Sequence, residues 1–100
     1  MIPLTLQEVA SACGGRVVGD PDTRVATVVV DSREVDREDA LFVALPGEST
    51  DGHRFVGDAL GAGAAAALVA DAEVLGSGPG VVVEDTWTAI GALGAAVRDR

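Results

Sequence analysis

Two spacings of apolar residues divide the chain. Leu6, Val9, Ala10 and Cys13 recur at the i, i+3, i+4, i+7 spacing of one helix face, and Thr5-Leu6-Gln7-Glu8 has the Thr-x-x-Glu form of a capping box. The threonine oxygen and the glutamate carboxylate can each satisfy a free amide of the first turn, so the pattern predicts a helix that starts here and stops at Gly14-Gly15. Cys13, on the apolar face, is expected to be buried. Arg16 to Gly19 then reads as a short strand, and Asp20-Pro21-Asp22 as a turn whose proline presets the backbone angle. Val25 to Val30 is an extended run. Its three consecutive valines suit a strand covered on both faces better than a one-sided sheet.

Beyond Asp31-Ser32-Arg33 the segment 34–39 is charged and turn-like, and Ala40 to Leu45 forms a second apolar strand ending at Pro46-Gly47. A polar loop over 48–52 leads to a predicted helix from His53 to Gly63, with Asp51 as its cap and Phe55, Val56, Ala59 and Leu60 on one face. Ala64 to Ala70 is alanine-rich, but Leu68-Val69 followed by Asp71 favours a strand over a helix. Leu75 to Gly80 carries three glycines and a proline and reads as a connection. Val81 to Val83 is a buried-type strand. Asp85 or Thr86 caps a last helix running to about Asp99, with Trp87, Ile90, Leu93, Gly94 and Val97 on one face. Strands alternating with helices give an α/β fold, a small mixed sheet flanked by helices.

One hundred residues make one domain, able to bury roughly 60 to 70% of its unfolded surface without disulfides or metal. The lone Cys13 cannot pair within the chain, which fits a reducing compartment and a cytoplasmic location. No basic or histidine neighbour activates it, so it reads as a packed thiol. The formal net charge is -9, and all seven basic residues are arginines. Such a surface repels phosphate backbones, which sets nucleic acid aside. The absence of lysine removes a phosphate-loop lysine, a Schiff base and a carbamoylated lysine. No apolar run approaches the ~18 residues of a membrane span, so no membrane partner is expected.

The chemistry-bearing groups gather between Val28 and Phe55. Ser32 and Arg33 follow a strand end, where α/β sheets place ligands, and the pair could grip an anion or a planar ring. It could equally be a turn serine beside a surface arginine paired to Asp31 or Glu34. His53, the only histidine, follows Asp51-Gly52 at a helix start. It could meet a diphosphate or a base, or simply make a local hydrogen bond of the first turn. No second histidine or cysteine stands near it, so no metal site is expected. The carboxylates Asp36, Glu38 and Asp39 read as a solvated turn, and Trp87 as core packing.

Taken together, several motifs resemble the N-terminal domain of Mur ligases. They are Leu4-Thr5-Leu6 with Val9-Ala10 and Gly14-Gly15; Val-Asp-Ser-Arg at 30–33; Leu-Phe-Val-Ala-Leu-Pro-Gly at 41–47; Asp-Gly-His-Arg-Phe at 51–55; and Gly-Ala-Ala-Ala at 63–66. The resemblance covers essentially the whole chain. One departure is Val35 to Ala40, VDREDA, where the family usually has a Pro-Gly turn and a connection about one residue shorter.

The resemblance implies a domain that binds the UDP portion of UDP-N-acetylmuramoyl-tripeptide. Val30, Ser32 and Arg33 would meet the uridine or its neighbouring groups, and Gly47, Glu48, Ser49, Asp51 and His53 would line the rest of the rim. Met1-Ile2-Pro3-Leu4, His53 and Glu84-Asp85-Thr86 favour the branch that adds D-alanyl-D-alanine over the branch that adds the third peptide residue. ATP and Mg2+ would act in central and C-terminal domains that this lysine-free chain does not contain, leaving it no catalytic residue of its own. A freestanding interaction or sensory module of the same fold is the alternative of a different class.

Overall fold

The computed structural model describes residues 3–35, 39–46, 51–75 and 79–98, apart from the side chains of Ser32 and residues 96–98. The first predicted helix is present as α1 (Leu6–Cys13), and its capping box is closed in both directions. The Glu8 amide donates to Thr5 Oγ1 at 3.2 Å, and the Thr5 amide donates to Glu8 Oε1 at 3.0 Å. Gly14, at φ 68°, ends the helix in the left-handed region, where a Cβ would be strained. Cys13 is half-buried rather than buried; it packs at the margin of the core and its thiol donates to the Ala89 carbonyl at 3.4 Å.

The run from Val25 to Val30 divides in two, which the sequence pattern did not show. Leu4–Thr5 (β1) pairs antiparallel with Arg24–Val25 (β3), while Thr27–Val29 (β4) joins a different sheet. That sheet has five strands in the order β2-β7-β6-β5-β4, with β2 at Arg16–Val18, β5 at Ala40–Val43, β6 at Ala66–Val69 and β7 at Gly80–Val82. Strands β4 to β7 are mutually parallel and β2 runs antiparallel to β7, so the sheet is mixed.

Alternate residues of each strand feed two separate cores, as the period of two requires. Leu41, Val43, Ala66, Leu68, Val81 and Val83 face α1 and α3 (Thr86–Arg98), where they meet Leu6, Val9, Ala89 and Leu93. Phe42, Ala44, Ala67 and Val69 face the opposite side and pack with Val56 and Ala59 of α2 (Val56–Gly61) and with Leu75. The valines of β4 divide the same way, Val28 to the first core and Val29 to the second, but at a sheet edge they are only half-buried. Burial of each Leu, Val or Phe side chain contributes about 1.5–3 kcal/mol, and the two-sided cover explains why these strands read as unbroken apolar runs.

Three further expectations are corrected. The helix predicted over 53–63 is a 3-10 turn, Gly52–Phe55, followed by the short α2, because Asp51 caps the turn rather than the helix. Trp87 does not pack in the core: it is 56% exposed, and the buried face of α3 is made by Thr86, Ala89 and Leu93, with Ile90 half-buried. Gly94 is exposed as well, and the side chain of Val97 lies outside the described residues. Gly80 is tightly placed: a Cβ there would meet the Ala67 carbonyl oxygen and stand 2.6 Å from Leu75.

Candidate functional site

The parallel strands end together, and the chain leaves each of them into a polar turn. After β4, Asp31 opens the 3-10 turn Ser32–Glu34. Its Oδ1 accepts the Arg33 amide at 2.9 Å, and its carboxylate also accepts the guanidinium, Nε at 3.1 Å and Nη2 at 2.7 Å. This fork-shaped pairing holds the Asp31 carboxyl at about 2, well below the usual carboxylate range, with the side-chain bond from Arg33 as the leading cause. The same pair raises Arg33. Arg33 nevertheless stays 87% exposed, so its aspartate partner restrains it without removing it from solvent.

After β5 the chain makes a pinched turn. Pro46 and Asp51 form an antiparallel bridge, and the Gly52 amide donates to the Leu45 carbonyl at 2.9 Å. Gly52 lies flat on the strand it has just left; a Cβ on it would stand 2.8 Å from the Leu45 nitrogen and 3.2 Å from the Ala44 Cα. Asp51 Oδ1 accepts the His53 amide at 2.9 Å, and that bond, followed by the ring contact, pulls its carboxyl below the ordinary range.

The His53 ring is 11% exposed, with Nδ1 2.6 Å from Asp51 Oδ1 and Nε2 accepting the Ala70 amide at 2.9 Å. An accepting Nε2 places the ring proton on Nδ1. The Asp51–His53 contact is therefore a hydrogen bond from a neutral ring rather than an ion pair. His53 fastens the turn after β5 to the end of β6.

Between the two turns lies an open cleft of about 810 Å³, lined by Val30, Asp31, Arg33, Glu34, Leu45, Gly52, Phe55 and Asp58. Of the residues expected from sequence, Val30 and Arg33 meet here, and Val30 is 48% exposed at the strand end. Ser32 lies between them in the 3-10 turn. Asp51 and His53 stand behind Gly52 and are not among the lining residues, while Gly47, Glu48 and Ser49 lie outside the described residues. Sequence reasoning missed Leu45, Phe55 and Asp58. Their signal was position alone, at the end of one strand and on the first turns of the following helix, where ligands of α/β sheets gather. Three carboxylates face one guanidinium in the lining, so the cleft suits a neutral polar or planar group better than a phosphate.

At the start of α3, Asp85 Oδ1 accepts the Trp87 amide at 2.9 Å and caps the helix. The Trp87 indole Nε1–H donates to the Pro46 carbonyl at 3.1 Å. A smaller depression beside it is bounded by Cys13, Glu84, Asp85 and Thr88, and burial raises the Cys13 thiol. Among the described residues no cluster of three or more His, Cys, Asp or Glu side chains could hold a metal ion. None of the described helices is long and apolar enough to cross a membrane.

Comparison with known proteins places this geometry. The chain is 32% identical over its full length to the UDP-N-acetylmuramoyl-tripeptide--D-alanyl-D-alanine ligase of Haemophilus influenzae, of which it covers 22%. It is 36% identical to the UDP-N-acetylmuramoyl-L-alanyl-D-glutamate--2,6-diaminopimelate ligase of Bacillus licheniformis, but over 75% of the chain and 15% of that protein. The structure of UDP-N-acetylmuramoylalanyl-D-glutamyl-2,6-diaminopimelate--D-alanyl-D-alanyl ligase from Acinetobacter baumannii superposes on 97% of this chain with a TM-score of 0.85 at 32% identity, using 22% of its own length. The chain thus spans about a fifth of the length of the curated relatives it matches. The model of the Mur ligase family, catalytic domain, matches residues 24–98, and the chain belongs to the Mur ligase family.

Proposed function

We propose that this chain is the substrate-binding domain of an ATP-dependent ligase that adds D-alanyl-D-alanine to UDP-N-acetylmuramoyl-tripeptide in cytoplasmic peptidoglycan precursor synthesis. The carrying observation is that a D-alanyl-D-alanine ligase aligns with 100% of the chain, whereas the diaminopimelate ligase aligns with 75% of it. In this reading the uridine occupies the cleft. Val30 and Phe55 give it apolar cover, and Arg33 and the turn at Ser32 give it polar contacts. The surplus of carboxylates directs the diphosphate out of the cleft, and Gly47, Glu48 and Ser49 are proposed as its contacts.

ATP and Mg2+ belong to the parent reaction, and the residues of this chain do not fit them. No lysine exists for a phosphate loop, and the described residues offer no metal-ligand cluster. The chain holds one substrate for the other domains of the parent ligase. An NMR titration with UDP-N-acetylmuramoyl-tripeptide tests this reading. Amide shifts are expected at Arg33, Gly52 and Phe55, and an unchanged spectrum at millimolar ligand would refute it.

A further inference from the structure

Among the described residues the two exposed large apolar side chains are Val30 and Trp87. Val30 directly follows β4, and Trp87 lies in the first turn of α3, the helix after β7. Val30 lines the cleft. Trp87 does not, yet its indole N–H bonds the carbonyl of Pro46, the residue that directly follows the cleft-lining Leu45. Adjacent Cα atoms are about 3.8 Å apart, so the tryptophan anchors the chain one residue beyond a residue of the cleft wall.

The position of Trp87 on its helix shows what this contact is for. A tryptophan that served folding would bury its large ring, and the buried face of α3 is built instead from Thr86, Ala89 and Leu93. With 56% of its surface exposed, Trp87 contributes little to either core. Its directed engagement is the hydrogen bond to Pro46. The turn is therefore fastened from two sides: by His53, through Asp51 and the Ala70 amide, to the end of β6, and by Trp87 to the start of α3.

We propose that Trp87 is a positioning residue for ligand binding, its indole N–H presetting the Pro46–Asp51 bridge, beside which Leu45 and Gly52 line the cleft. This rests on the reading of the cleft as the uridine site. A preset turn binds better than one that must be ordered by the ligand, so losing the bond weakens binding without unfolding the domain.

Trp87 is the single tryptophan of the chain, so its indole N–H gives one resolved proton–nitrogen signal. We expect UDP-N-acetylmuramoyl-tripeptide to shift this signal together with the amides of Arg33 and Gly52. We also expect Trp87→Phe and Trp87→Leu to weaken binding alike, by about three- to tenfold, the value of one net hydrogen bond, with the urea midpoint unchanged. If the cleft amides shift while the indole signal stays fixed and Trp87→Phe binds as the parent does, the proposal is overturned and the uridine reading survives. If Trp87→Phe binds normally and Trp87→Leu does not, the ring touches the ligand and the positioning role is wrong. Equal loss of affinity and of urea midpoint in both variants would make Trp87 structural and overturn it too. A spectrum unchanged at every position overturns both readings together.

Discussion

Asp31-Ser32-Arg33 and Asp51-Gly52-His53 start from the same local device. In each, an aspartate after a strand accepts the amide two residues on at 2.9 Å, a 3-10 turn follows, and a basic side chain swings back to the carboxylate. Their fates differ because the two basic side chains have different second partners. The Arg33 fork turns onto its own aspartate and remains in solvent, whereas the His53 ring reaches a backbone amide 17 residues away and is nearly covered. One turn is left in solvent beside the cleft, and the other is tied to the end of β6. An acid–base pair two residues apart therefore says little about function until its non-local contact is known.

The sharpest way to break the tied turn is Gly52→Ala. The added Cβ would meet Leu45 and Ala44 backbone atoms that cannot turn away, so a loss of about 1–3 kcal/mol or more is expected in urea unfolding. His53→Ala should follow at about 1–2 kcal/mol, because it strips the Ala70 amide and Asp51 of a partner while leaving the backbone cap intact. Arg33→Ala should lower the urea midpoint less than His53→Ala does and weaken UDP-N-acetylmuramoyl-tripeptide binding several-fold in calorimetry. A stability loss in Arg33→Ala as large as that of His53→Ala would erase the distinction between the two turns.

The smallest effect separates the two aspartates by pH. Asp31 sits at about 2 when folded, below the ~3.9 of an unperturbed carboxyl, so its stabilising share is fully present above the unfolded value and is lost as pH falls through about 2. Its carboxyl carbon should still report the ionised form at pH 3 by NMR. The leading cause is the Arg33 side chain, so Arg33→Ala should return Asp31 toward its ordinary range. For Asp51 the leading cause is the His53 backbone amide, which His53→Ala keeps. Most of the Asp51 depression should therefore persist, and equal rebounds in the two variants would contradict this assignment.

What could be read from sequence follows the same division between local and distant partners. The capping box at Thr5 and Glu8 and the stop at Gly14 involve neighbours a few residues apart, and they were legible as written. The two-sided strands were legible because both faces demand apolar residues. The break between Val25 and Thr27 was not, because it depends on Leu4 and Thr5 arriving to pair with Arg24 and Val25. The spacing of Trp87 with Ile90 and Leu93 puts it on the apolar face of the last helix, yet its partner is a carbonyl 41 residues away. In the cleft, Val30 and Arg33 could be found from their place after a strand. Phe55 and Asp58 reach it only because the sheet order sets β4 beside β5.

Gly80 has a consequence for how this sheet finds its alignment. Strands that are apolar on both faces lose the usual penalty for slipping by one position, since a slip exchanges one hydrophobic residue for another. Hydropathy is then silent about which residue of β7 belongs beside Ala67. The constriction formed by the Ala67 carbonyl and Leu75 admits a residue without a Cβ, and Gly80 is followed by Val81, Val82 and Val83. Shifting the strand one step would drive Val81 into that gap, or Pro79 in the other direction. The pairing of β6 with β7 is thus selected by volume at a single position, much as a notch aligns a key.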